Sequence, residues 1–151
     1  MVRAMVAAVD DDPDRHDTLA GEREELVASL AGKDAALFLP TGTMANEIAY
    51  FVHCSAGDEV LLFEDAHPTF AESAGPAVHS RVSLRPLRGR RGVFTGAHAE
   101  AAVHARLDSR PRSRLVSVEN PQYRGGWGTV WSLAELEESS GQRGKRPCDA
   151  S

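Results

Sequence analysis

Three short polar segments contain residue types that chemistry needs, and each follows an apolar run. The first is Thr41-Gly42-Thr43, ahead of a helical pattern. The backbone N–H groups at a helix start have no intrahelical acceptor and attract anions. Threonine hydroxyls add donors, and Gly42 lets a ligand come close to the backbone. The chemistry expected there is phosphate binding by the N–H groups of Gly42, Thr43 and Met44. Taken alone, the tripeptide is more often a helix N-cap. It is neither a GxxxxGK[ST] loop nor a GxGxxG fingerprint, so nucleoside triphosphate and dinucleotide readings gain nothing. The second segment is Glu64-Asp65-Ala66-His67-Pro68. His67 can stack on a flat ligand or move a proton, and Glu72, five residues on, is expected to face the same cleft. The third is Glu119 to Gly126, in which Glu119 and Asn120 offer polar groups to a ligand and the glycines permit a tight return.

Secondary structure must bring these segments together. A helix is expected from Asp17 or Thr18 to Leu30, with a stripe of Leu19, Leu26, Val27 and Leu30, ended by Gly32. AALFL (35–39) has the continuous apolar character of a strand covered on both faces. Pro40 and Gly42 turn the chain into a helix running to about His53 and burying Met44, Ile48, Phe51 and Val52. After the Gly57-Asp58 turn, further strands are expected at 59–63, 82–87 and 114–120. Helices are expected around 69–74, over 97–107 and from Leu133. A short helix over 1–9 ends at Asp10, Asp11 and Asp12, which lack calcium-loop spacing and are read as a turn. Strands alternating with helices predict a mainly parallel sheet layered by helices. Ligands in such sheets gather beyond the carboxyl ends of the strands, where the His67 and Glu119 segments fall.

Composition narrows the function classes. With 17 basic against 22 acidic residues the net charge is −5, which argues against a nucleic-acid partner. The cluster Arg85, Arg88, Arg90, Arg91 has no interleaved aromatics and is read as a solvated loop. Cys54 and Cys148 share no metal or redox spacing; Cys54 is read as a small buried hydrophobe. No apolar run reaches membrane-spanning length and no secretory signal opens the chain, so a cytoplasmic, non-membrane protein is expected. His16, His53, His79, His98 and His104 are expected to be surface or packing residues.

Taken together and in order, the three segments resemble the threonine aldolase and β-eliminating lyase family of pyridoxal-phosphate enzymes. The resemblance rests on residues 10–49, 57–75 and 114–138, most specifically on GKDAALFLPTGTMAN (32–46). It implies a three-layer αβα, aminotransferase-like large domain of fold type I, and a homo-oligomer with active sites near subunit interfaces. It also implies pyridoxal 5'-phosphate as cofactor, held by Thr41, Gly42 and Thr43 at the phosphate, with His67 stacked on the pyridine ring. The implied reaction is retro-aldol cleavage of a β-hydroxy-α-amino acid, typically threonine, to glycine and an aldehyde. His67, or a water held with Glu72, is the base.

Two departures shape what is expected of this chain. Where the family carries Thr-His after Glu-Asn, this sequence has Pro121-Gln122, and glutamine does not shuttle protons near neutral pH. The family's Schiff-base lysine belongs to its later half. The two lysines here, Lys33 and Lys145, have no matching motif. The expectation is a partial large domain over 1–138, truncated and inactive alone, followed by a disordered or aberrant tail at 139–151. The alternatives are a non-catalytic remnant that binds a phosphate ligand or a full-length homologue, and a different pyridoxal-phosphate β-eliminating lyase.

Overall fold

A buried parallel strand needs apolar residues on both faces, and EVLLF supplies them. In the computed structural model, which describes residues 18–104 and 109–141, β1 (Glu59–Phe63) is buried along its whole length at the centre of a three-stranded sheet. β2 (Ser83–Leu87) and β3 (Ser113–Ser117) flank it, both parallel to it, in the order β2-β1-β3. Glu59 pairs with Ser83 on one side and Ser113 on the other. A register shift after Glu59 places Val60 opposite Leu115.

The chain divides into two units, 1–42 and 43–151. In the first, α1 (Thr18–Ala31) ends as expected at Gly32, whose φ of 61° is the left-handed form glycine adopts without cost. Gly32 N–H donates to the Ser29 carbonyl (3.2 Å) and Lys33 N–H to the Ala28 carbonyl (2.9 Å), the paired bonds of a Schellman ending. The expected apolar stripe differs: Leu26, Val27 and Leu30 are exposed, and Ala28 is buried instead. The strand expected at 35–39 does not form. A strand exists only where a second ladder accepts its backbone, and here the Phe38 N–H donates to the Glu24 carboxylate (2.6 Å), with Leu37 and Phe38 exposed.

In the second unit, helices fill the connections. α2 (Gly42–His53) begins where the units divide. It buries Tyr50, whereas Met44, Phe51 and Val52, expected inside, are exposed. Tyr50 packs with Val60 and Val82, and half-buried Cys54 lies against the same cluster. The helix expected around 69–74 is two short ones, α3 (His67–Phe70) and α4 (Gly75–Val78). Ser73 and Ala74, at φ of 50° and 62°, turn the chain between them. α5 (Gly96–Ala102) is closed at its start by a Thr95–His98 capping box, which accounts for His98. α6 (Leu133–Gly141) runs three residues into the segment expected to be a tail. The larger core joins Leu61, Leu62 and Phe63 to Leu87, Phe94, Ala99, Ala102 and Trp131. The expected helix over 1–9, the acidic cluster at 10–12 and Lys145 lie outside the described residues.

At the amino end of β1, Asp58 receives two bonds from Arg112 (3.0 and 2.8 Å) and one from the Ser55 N–H. Arg112 holds the Asp58 carboxyl below its ordinary range. Arg85 lies in β2 rather than a solvated loop. It bonds His104 beside the buried Glu59 carboxyl, whose Oε1 accepts from Ser113 Oγ (2.9 Å).

Candidate active site

The strand order reverses at β1: the chain passes from β1 to β2 on one side and returns to β3 on the other. Connections that leave in opposite directions open a crevice beyond the carboxyl ends of β1 and β3, where open α/β sheets bind ligands. The Glu64–His67 and Glu119–Tyr123 loops emerge there. Three contacts fasten these segments together, and a fourth, Tyr123 N–H to Glu119, closes the second loop on itself. Glu119 accepts the His67 N–H (Oε2, 3.0 Å) and the Tyr123 N–H (Oε1, 3.1 Å). Gln122 Nε2 donates to the Asp65 carbonyl (3.2 Å), and the Arg124 guanidinium lies 4.8 Å from the Phe70 ring centre. Gly125 packs against the Phe63 ring, where a Cβ would collide.

His67 opens α3, and its ring is fixed by Glu72. The Nδ1–Oε1 distance is 2.7 Å, and the same oxygen accepts Asn46 Nδ2 at 2.7 Å. A carboxylate only accepts, so it places the imidazole hydrogen on Nδ1 and leaves Nε2 as the basic nitrogen of the neutral ring. The Glu72 side chain is fully buried, whereas that of His67 is 37% exposed. The result is a flat, oriented, reachable ring on a buried acidic anchor. Phe70 meets it edge to face, 5.8 Å between centroids.

The structure thus brings together His67, Glu72 and Glu119. Asn120 sits beside them, but its Oδ1 accepts the Trp131 N–H (3.2 Å), which ties down the return of the chain. Gln122 is wholly buried rather than open to a ligand. Its N–H donates to the Thr129 carbonyl (2.8 Å), and Gly92 and Gly126 pack so closely on its side chain that a Cβ at either would collide with it. Thr43 stands in the first turn of α2 in the same unit, while Thr41 and Gly42 close the other unit. A Cβ on Gly42 would meet nothing within 4 Å, so the backbone there is open to a ligand.

Sequence reasoning missed Asn46 and Glu47. Their signal was present: two polar residues in the otherwise apolar run MANEIAYF, at a spacing that turns them with Tyr50 toward the sheet. Tyr50 OH lies 3.1 Å from Ser117 Oγ, and burial pushes the phenol up to about 12.

The chain is 38% identical over 120 residues to a probable low-specificity L-threonine aldolase 2 of Arabidopsis thaliana, covering 77% of this chain and 34% of that one. It is 35% identical over 144 residues to that plant's low-specificity L-threonine aldolase 1, covering 93% and 40%. Among solved structures, Leishmania major threonine aldolase superposes with a TM-score of 0.66 at 26% identity, covering 78% of this chain and 34% of that one. The chain therefore spans between a third and two fifths of the length of these two plant relatives. The model of the beta-eliminating lyase family matches residues 1–142, and the chain belongs to that family.

Proposed function

We propose that this chain forms the ring-binding corner of a pyridoxal-phosphate lyase of the threonine aldolase type, acting on β-hydroxy-α-amino acids. The observation that carries the reading is the His67 imidazole, fixed by Glu72 at Nδ1 and by Glu119 at its backbone N–H, beyond the carboxyl end of β1. The residues fit the cofactor in two respects. A half-exposed, orientation-locked imidazole matches a planar heteroaromatic ring, and in the same unit the Thr43 hydroxyl in the first turn of α2 matches a phosphate. Pyridoxal phosphate, when bound, supplies the electron sink for the carbanion left by Cα–Cβ cleavage.

The chain's own residues do the rest. Glu72 and Asn46 hold the ring still. Nε2 of His67 accepts the β-hydroxyl proton, directly or through a water. Glu119 keeps the loops after β1 and β3 together, so the ring does not drift from the crevice. Gln122 braces that junction from inside.

Among the described residues of the unit that holds His67 there is no lysine to supply the amine of a Schiff base: Lys33 belongs to the other unit, and Lys145 lies outside the described residues. That favours a second reading, a phosphate-ligand-binding chain without catalysis of its own. Titrating the purified chain with pyridoxal phosphate, followed by borohydride and by an aldehyde assay with threonine, separates them. Tight binding that His67→Ala weakens about tenfold, a loss of roughly 1.4 kcal/mol, supports the ring-binding corner. Aldehyde release supports catalysis, and binding without it supports the second reading. Equal binding by wild type and His67→Ala refutes the ring assignment.

A further inference from the structure

Behind the His67–Glu72 pair lies a second buried carboxyl that the mechanism does not use. Both oxygens of Glu47 and the Oε2 of Glu72 are buried, and none meets a hydrogen-bond donor. Glu47 enters from α2, one residue after Asn46. Its carboxyl is pressed against Gly75, where a Cβ would collide with it, and the two carboxyls are close enough to bond each other. Two carboxylates are both acceptors and cannot bond, so three buried oxygens would stay unsatisfied beside a like charge. A single proton between them removes the like charge and satisfies two of the three oxygens.

We infer that Glu47 and Glu72 share one proton, making Glu47 a positioning residue that fixes Glu72 and, through it, the tautomer of His67. Glu47 carries the shared proton and donates it to Glu72 Oε2, which leaves Glu72 Oε1 free to accept from His67 Nδ1 and Asn46 Nδ2. The pair then carries one negative charge, and that charge faces the imidazole. The other titratable groups that face the pair are His79, whose charge opposes the upward push on Glu47, and Tyr50 from α2. Burial first, and the Glu72 charge second, drive the Glu47 carboxyl toward its protonated form. The inference rests on His67 and Glu72 as the working pair, but it concerns protons on this chain and needs no cofactor to be tested.

The experiment is a pH titration of the protein labelled with carbon-13 at the glutamate side-chain carboxyls, together with nitrogen-15 spectra of the histidine rings. In the wild type, one carboxyl of the pair is expected to keep the chemical shift of a protonated acid where the exposed glutamates are already ionised. His67 is expected to show the Nδ1–H tautomer. Glu47→Gln supplies an amide donor in place of the shared proton, so the late carboxyl step disappears while the tautomer persists. Glu47→Leu removes the donor and is expected to produce a tautomer mixture. If both wild-type carboxyls ionise together with the exposed glutamates, the inference is overturned, whether or not the variants fold. Failure of pyridoxal phosphate to bind would instead refute the cofactor reading and leave this result standing.

Discussion

Replacing Glu119 tests the architecture of the crevice directly. Its carboxylate takes the His67 and Tyr123 N–H groups at 3.0 and 3.1 Å, one bond to each oxygen. Hydrogen bonds to a charged acceptor contribute about 1.5–3 kcal/mol each when well buried. Glu119 is half-buried and Tyr123 exposed, so the lower end applies and part of each loss is recovered by water. Glu119→Gln keeps one acceptor and turns an NH2 group toward the other N–H, for an expected cost of about 1–2 kcal/mol. Glu119→Ala loses both bonds, for about 2–3 kcal/mol. Urea unfolding measures the cost, with an unchanged slope expected because the surface exposed on unfolding is nearly the same. Amide hydrogen exchange locates it: His67 and Tyr123 should lose protection first, ahead of the β1 amides. A cost below about 0.5 kcal/mol, with unaltered exchange at both amides, would show that the two loops are not joined through Glu119.

Four further outcomes follow from the same geometry. Gly126→Ala should destabilise by about 2 kcal/mol or more in thermal unfolding, because a Cβ there meets the Arg91 carbonyl, a backbone atom, as well as Gln122. Stability should fall as pH drops through and below the ordinary aspartate range near 4, where Asp58 gains its proton and releases Arg112. The depressed carboxyl contributes fully above its unfolded value and progressively less below it, so Arg112→Met should flatten the acid side of a pH–stability curve. In an ultraviolet pH titration one of the two tyrosines, Tyr50, should ionise only near pH 12, and stability should decline as pH rises above about 10, because the buried phenol resists losing its proton. The exposed Phe51, Val52, Trp127 and Leu133 side chains should cause concentration-dependent association in sedimentation experiments, and a monodisperse monomer at all concentrations would count against it.

What the sequence made legible follows the physics of each element. EVLLF was legible because four consecutive apolar residues after Glu59, bounded by Gly57-Asp58 and Glu64-Asp65, fit a doubly covered strand, and it is central and fully buried. AALFL is apolar throughout and forms no strand. Apolar character describes the faces of a strand and says nothing about whether a neighbouring ladder will take its backbone, and Glu24 takes the Phe38 N–H instead. The faces of α1 and α2 were misassigned for a related reason. Periodicity finds an apolar stripe, but burial depends on what the rest of the chain lays against it, and Tyr50 is covered where Phe51 and Val52 are not.

The candidate site shows the same limit and a way past it. His67 and Glu119 were legible by position because both lie beyond strands whose order reverses at β1. Their roles were only half legible. Glu119 is spent on backbone N–H groups, and the anchor of the ring is Glu72, supported by Asn46 and Glu47 of α2. A charged residue in an apolar helical run carries a cost that must be offset by a partner. Glu47 in MANEIAYF is such a residue, and its partner is a second acid rather than a base. Attraction between opposite charges cannot explain that pairing. A proton held between them can, which makes the protonation state of Glu47 the point on which the orientation of His67 turns.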